Sequence, residues 1–473
     1  MKSQPLLIFF LTFLPSTLSA PNPTILSYRS LEKPPGISST SHSGGETNYI
    51  ITLKPTEKRP WSELLKSFGH ANQPETVIAK SVRMYGLKLT PSEADKISKS
   101  PFVAGVQPDI DITVPADKIS NINVDADTDD SASLSQPHHA RRFTAGQGQG
   151  QGISVNPALA ARAALKEQKD ATWALQRISS GQKVEKRPDG KNRKYLYTYD
   201  PKTDVGTGVD VYIVDSGVDL KNSEFEGRAK QIYSLSNKYT EDQRGHGTHV
   251  AGIIGSKSFG VAKKVNLISV KILPARGENA ALRQILEGID KAIESHVNRR
   301  NEPGFVASIM NLSVGGRNPE TAPLQILLTM AAAEGMHIVA AAGNERTDAC
   351  RTFPAGWNRN IESLITVGNI DINDGLEVDS NFGECVDIFA PGTDILSVAV
   401  PKLAEKKKVV AMTGTSMAGP MVVGVMAGQA LKHENLRKNP VAMKKHMIKE
   451  MTKKGIHNYK SSQGPDRILF RGD

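Results

Sequence analysis

With only two cysteines in 473 residues, the chain cannot be a disulfide-dense scaffold. Neither cysteine lies in the Cys-His context a catalytic thiol needs. Beyond the first twenty residues no stretch reaches the roughly 18 apolar residues of a membrane span. The net charge of +10 comes from dispersed lysines and arginines without an aromatic-plus-basic platform, so a solvated basic surface is expected and not nucleic-acid binding. His246-Gly247-Thr248-His249 lacks both the four-residue spacing and the glutamate of a zincin helix, which argues against a catalytic zinc pair.

The length is enough for two folded units plus linkers. Residues 1–20 carry an early Lys2, the apolar run Leu6 to Leu14, Pro15 and a small-residue end at Ser19-Ala20, the pattern of a cleaved secretory signal. Residues 21–45 are rich in Pro, Ser and Gly and are expected to be disordered. Residues 46–114 alternate expected strands (from Asn48, from Val82 and from Phe102 to Ile112) with helices over Trp61 to His70 and Pro91 to Ser100, a small α+β unit. Residues 115–168 have linker composition, with an acidic Ser/Asp tract, Gly-Gln repeats and the dibasic pair Arg141-Arg142 as a candidate processing site. An alanine-rich stretch, Asn156 to Gln168, reads either as a short helix or as more linker. From 169 to 473, β-branched runs such as Val209 to Val214, Asn266 to Ile272 and Phe305 to Met310 alternate with helical patterns such as Leu282 to Val297 and Ala322 to Gly335. That alternation predicts an α/β fold built on a doubly wound, mostly parallel sheet. The basic tail from Lys432 to Lys454 places Met443, Met447 and Met451 at helical spacing, which predicts a surface helix packing its methionines on the core.

Chemistry concentrates in three stretches. Gly414-Thr415-Ser416-Met417-Ala418 sets a hydroxyl where a glycine turn opens an apolar helix, beside unpaired backbone N–H groups and the positive end of the dipole. Arg244-Gly245-His246-Gly247 puts an imidazole between glycines at the head of a small-residue helix, and Val209 to Asp215 ends an apolar strand on a carboxylate. A serine hydroxyl needs a histidine base and a carboxylate to orient it. Singly, the three read as a helix cap, a core histidine and a turn.

The order Asp215, His246, Ser416 is the chain order of subtilisin. From about Ala171 onward the chain resembles the subtilases, above all the proteinase K and cerevisin branch, through these motifs together with Phe259-Gly260-Val261-Ala262-Lys263 and Cys385-Val386-Asp387-Ile388-Phe389-Ala390-Pro391-Gly392. The resemblance implies a secreted or vacuolar serine endopeptidase acting on proteins and peptides as a monomer and needing no cofactor for its chemistry. It implies an oxyanion donor at Asn344, substrate-binding backbone at Ser313, Val314 and Gly315 and at Ala341, Ala342 and Gly343, and a Cys350–Cys385 disulfide. The uncharged walls imply apolar or aromatic side chains before the scissile bond. Residues 46–114 resemble the ferredoxin-like inhibitory prosegment of the family. Asp387 matches a calcium ligand of the proteinase K branch, although Gly356-Trp357-Asn358-Arg359 looks like an insertion in the loop that would complete that site. Gly419, Met421 and Val314 depart from the usual threonine or serine, histidine and leucine. The competing expectation is a catalytically weak or retired subtilase with a binding role in a wall or spore coat.

Overall fold

A parallel sheet buried on both faces needs strands without a polar side, and Val209–Asp215 (β9), with all seven residues buried, is such a strand. The computed structural model describes residues 45–74, 76–112, 118–119, 165–188, 192–276, 278–317, 321–401 and 409–472. The expected signal, most of the 21–45 stretch, the acidic tract, Arg141-Arg142 and residues 156–164 lie outside the described residues.

The first elements are Thr47–Leu53 (β1), Trp61–Phe68 (α1), Thr76–Ala79 (β2), Met84–Leu89 (β3), Pro91–Ser98 (α2) and Val103–Pro108 (β4). They form an antiparallel sheet in the order β2-β3-β1-β4, and one face packs Tyr49, Ile51 and Leu87 on Trp61, Leu64 and Ile97. Helix α2 starts at a capping box in which Thr90 Oγ1 accepts from the Glu93 N–H, while Glu93 Oε2 accepts from the Thr90 N–H. The strand expected from Phe102 to Ile112 is broken after Pro108, and Asp111–Ile112 (β5) turns away to pair elsewhere.

Several short strands were not expected, among them two at the ends of the stretch read as linker. Lys118–Ile119 (β6), inside the stretch read as linker, pairs with Thr413 and Met412. Lys166–Ala171 (β7) pairs with Tyr195–Tyr199 (β8), so the end of the alanine-rich stretch is strand and not helix. Trp173–Ser180 (α3) follows, capped by Thr172.

The large sheet runs Ala229–Ser234 (β10), Asn266–Lys271 (β11), β9, Ala307–Leu312 (β13), His337–Ala341 (β14), Leu364–Ile370 (β15), Ile388–Pro391 (β16), Ile468–Leu469 (β20) and Thr452–Lys453 (β19). All pairings are parallel except that of β19 with β20. After β9 the chain adds β10 and β11 on one side and then crosses to β13 on the other, so the topological switch lies between β9 and β13 and ligands are expected at their C-terminal ends. Those ends are Asp215 and Leu312, the latter followed by Ser313.

Helices cover both faces. His246–Gly255 (α4) and Thr415–Lys432 (α7) lie in one apolar layer, and Pro440–Glu450 (α8) adds the buried Met443 and Met447, as the methionine spacing predicts. Leu282–Arg299 (α5) and Ala322–Ala333 (α6) form the other layer. The N-terminal unit docks on α5, where Ile50, Ile78 and Met84 join the cluster of Ile285, Ile289 and Ile293. Its polar contacts use the middle and the start of the helix: Asp290 accepts from the Lys80 and Ser81 N–H groups at 3.0 and 3.1 Å, and Asp109 accepts from the Arg283 N–H at 2.9 Å in the first turn. Short strands complete the contact, with β5 on Ala280–Ala281 (β12) and β6 on Val409–Thr413 (β18), which also pairs with Ile395–Val398 (β17).

Candidate active site

Asp215 is held where β9 ends, fully buried, and its Oδ1 accepts from its neighbour's Ser216 N–H at 2.6 Å and from His246 Nδ1–H at 2.8 Å. A carboxylate can only accept, so Nδ1 carries the proton and Nε2 is left as the basic nitrogen. His246 is the first residue of α4, which begins four residues earlier than the apolar run from Val250 suggests. A Cβ on Gly247 would sit 2.1 Å from the Gly217 carbonyl oxygen, so only glycine lets the helix approach the end of β9 this closely.

The cap of α4 comes from a residue the sequence reading did not single out. Gly245 at the N-cap has no side chain, and Asp242 takes over its role: Oδ1 accepts from the Arg244 and Gly245 N–H groups, and Oδ2 from the Thr248 N–H and hydroxyl. Ser216 Oγ donates to Asp242 and accepts from the Gly247 N–H, which ties the carboxylate turn to the histidine helix. Behind this turn the buried Lys271 donates through Nζ to the Ser216 and Leu273 carbonyls at 2.5 and 3.1 Å. Burial lowers its pKa, and the nearby Asp242 and Asp215 charges act against that shift.

Ser416 stands at the second position of α7, two residues after the N-cap Gly414. Four residues on, Pro420 has no N–H to give the Ser416 carbonyl. Ser313 Oγ supplies the donor at 3.2 Å, and Ser416 Oγ donates in return to the Ser313 carbonyl at 3.4 Å. The hydroxyl is therefore registered against the strand end at Ser313–Gly315. Asn344 uses Oδ1 to accept from the Thr415 N–H and hydroxyl at 2.9 and 3.1 Å, which commits the amide oxygen and leaves the Nδ2 donors for another acceptor.

One cleft brings together His246, Ser416, Asn344, Ser313, Val314, Gly315, Ala341, Ala342 and Gly343, with Asp215 behind the histidine. Glu345, Glu377 and Asp379 also line it, acidic residues that no motif pointed to. Cys350 and Cys385 form the disulfide, with Cα atoms 5.1 Å apart. His249 is structural: Nε2 donates to the Ile395 and Val410 carbonyls, and burial pushes its pKa down to about 3, helped by the neighbouring His246.

Asp387 does not fit a calcium site, which corrects that expectation. Both carboxylate oxygens lie 2.9 Å from Lys444 Nζ, and Oδ2 also accepts from the Thr366 N–H and Asn358 Nδ2. An ammonium already occupies the place a cation would take. Among the described residues no group of three or more His, Cys, Asp or Glu side chains converges as a metal site.

Residues 206–465 match the profile of the subtilase family. Subtilisin-like protease 3 of Saccharomyces cerevisiae is 33% identical over 315 residues, covering 64% of this chain and 62% of that protein. Subtilisin-like serine protease Pen ch 18 of Penicillium rubens is 37% identical over 263 residues, covering 55% and 50%, and Rho m 2.0101 of Rhodotorula mucilaginosa is 38% identical over 261, covering 54% and 71%. The match thus spans about half to two thirds of the length of most of these relatives. Among solved structures, a cold-adapted subtilisin-like serine proteinase superposes with a TM-score of 0.52 at 29% identity, over 64% of this chain and 98% of that one. With the profile extending across more than half of the sequence, the chain belongs to the subtilase family.

Proposed function

We propose that the protein is a secretory serine endopeptidase that cuts peptide bonds through Asp215, His246 and Ser416. The observation that carries the reading is the 2.8 Å bond from His246 Nδ1–H to Asp215, with His246 and Ser416 lining the same cleft. In this reading His246 Nε2 takes the Ser416 proton as Oγ attacks the carbonyl carbon, then returns it to the leaving amine, while Asp215 stabilises the imidazolium. The Ser416 N–H, unpaired in the first turn of α7, and Asn344 Nδ2 receive the charge on the tetrahedral oxygen. Subtilases need no cofactor for this chemistry, and Asp387 supplies no metal to it.

Ser313 to Gly315 and Ala341 to Gly343 are the walls that favour apolar or aromatic side chains before the scissile bond. The N-terminal unit acts as the inhibitory prosegment. Its support is the docking on α5, the pairing of β5 with β12, and the pairing of β6 with β18 at the cleft. The leader-like first twenty residues favour the exterior or a vacuolar lumen, and no described helix is long and apolar enough to cross a membrane.

A fluorophosphonate probe tests the reading on the mature protein. Covalent labelling that is lost in Ser416→Ala, together with cleavage of an unfolded protein substrate, is the expected result. An unlabelled mature protein that cleaves nothing would leave the fold without this activity.

A further inference from the structure

We propose that the leaving-group side of the cleft selects a basic side chain, and that Asp379 is the residue that binds it. The inference rests on the peptidase reading above and names part of its substrate preference.

The end of the N-terminal unit pairs with the rest of the fold at two places, and Lys118, Met412 and Thr413 of the second line the cleft. Ile112 and Asp111 pair antiparallel with Ala280 and Ala281, and Lys118 and Ile119 pair antiparallel with Thr413 and Met412. In sequence order the segment pairs first with β12 and then with β18, whose last residue, Thr413, is three positions before Ser416. A substrate laid in the same direction has its acyl part toward β12 and its leaving part along β18. Lys118 marks where a leaving-group side chain would lie.

At that place Lys118 Nζ forms an ion pair with the Asp379 carboxylate. Among the described residues Lys118 is the side-chain partner of this carboxylate, whose own backbone is fixed by the bond from the Arg346 N–H to the Asp379 carbonyl. The other two acids of the cleft are engaged within the fold: Glu345 Oε2 accepts from Asn381 Nδ2 at 2.6 Å, and Glu377 Oε2 from the Thr393 hydroxyl at 2.9 Å. They add negative potential without competing for a ligand. Lys118 is the one lysine or arginine among the lining residues, so its departure leaves three carboxylates with no cation there. On a chain of net charge +10 this is a local reversal of sign, and it attracts a lysine or arginine side chain while repelling an acidic one.

The test uses the active mature protease and internally quenched peptides that share one sequence before the scissile bond. Lysine, glutamine or glutamate is placed in turn at the first, second and third positions after the bond. One position should show kcat/KM about fivefold to thirtyfold higher for lysine than for glutamate, the range expected for partly exposed charge pairs of both signs. The ratio should approach one in Asp379→Asn and invert in Asp379→Lys. Should those variants fail to mature, the wild-type ratio read from low salt to 1 M NaCl gives an independent measure, since screening should erase it. A peptide nitroanilide, which has no residue after its scissile bond, reports separately whether the wild type is a protease. Nitroanilide turnover with a ratio near one at all three positions, or with a ratio that neither the variants nor salt reduces, would overturn the role of Asp379. Absence of any turnover would overturn the peptidase reading instead.

Discussion

Asn344 carries two tasks on one amide, and the two can be separated by substitution. Its oxygen fixes the start of α7 through the Thr415 N–H and hydroxyl, and its nitrogen is the donor proposed for the oxyanion. Asn344→Ala removes both, whereas Asn344→Asp keeps the acceptor and removes the donor. Both variants should lose about a hundredfold to a thousandfold in kcat, the loss established for such a donor in subtilisin. Only the alanine variant should also lose about 1 kcal/mol of stability, because it strands the Thr415 N–H. Steady-state kinetics with urea unfolding distinguishes the outcomes, and unchanged kcat in Asn344→Asp would remove the amide from the mechanism. The unusual residues near Ser416 are less disruptive than their sequence context suggests. A Cβ on Gly419 would meet Asn311 Oδ1 at 3.6 Å and Val339 Cγ1 at 4.0 Å, both ordinary contacts, and Met421 is simply a buried core residue.

Helix α4 places His246 but cannot cap itself, so its position depends on Asp242 in the loop before it. Asp242→Ala would orphan N–H groups of Arg244, Gly245 and Thr248 and free Ser216 Oγ, at a cost of about 2 to 4 kcal/mol. Thermal unfolding in a Ser416→Ala background should show that loss, and kcat in the active enzyme should fall with it. A Tm within a degree of the parent would sink the capping argument. The disulfide joins the loop after β14 to the turn before β16 across 35 residues, and opening it should cost about 3 to 4 kcal/mol on the chain-entropy account, checked by unfolding of the Cys350→Ser/Cys385→Ser variant. The major elements of the large sheet were legible because apolar runs such as Val209 to Val214 have only one way to be buried. Strands β6 and β7 were not, since Lys118–Ile119 and Lys166–Ala171 are polar or short and owe their form to the strands they meet. The three side chains proposed as the triad were picked out by motif and order. Asp242, Lys271 and Asp379 were not, because each acts through partners far away in sequence or through a turn whose geometry no motif records.

At the scale of the whole molecule, the buried histidines tie folding to pH. Burial pushes His249 down to about 3 and His337 to about 4, and each donates through Nε2 to backbone carbonyls in its neutral form. His296 is shifted the same way, again mainly by burial. In the unfolded chain these imidazoles titrate near 6.5. Above that value neither state binds the protons. Between about 6.5 and 4 the unfolded state takes them up and the native state does not, so stability falls as pH falls across that window. Glu287 runs the other way, because burial raises its carboxyl pKa and favours the native state at the acid end. The histidines outnumber it, and urea unfolding of the Ser416→Ala protein should lose roughly 2 to 3 kcal/mol per pH unit between pH 6 and 5. His337→Gln, which keeps a donor for the Arg437 carbonyl but cannot titrate, should reduce that slope by about the one proton it removes. A stability profile flat from pH 7 to 5 would mean that these rings are already protonated inside the native fold, against the burial that surrounds them.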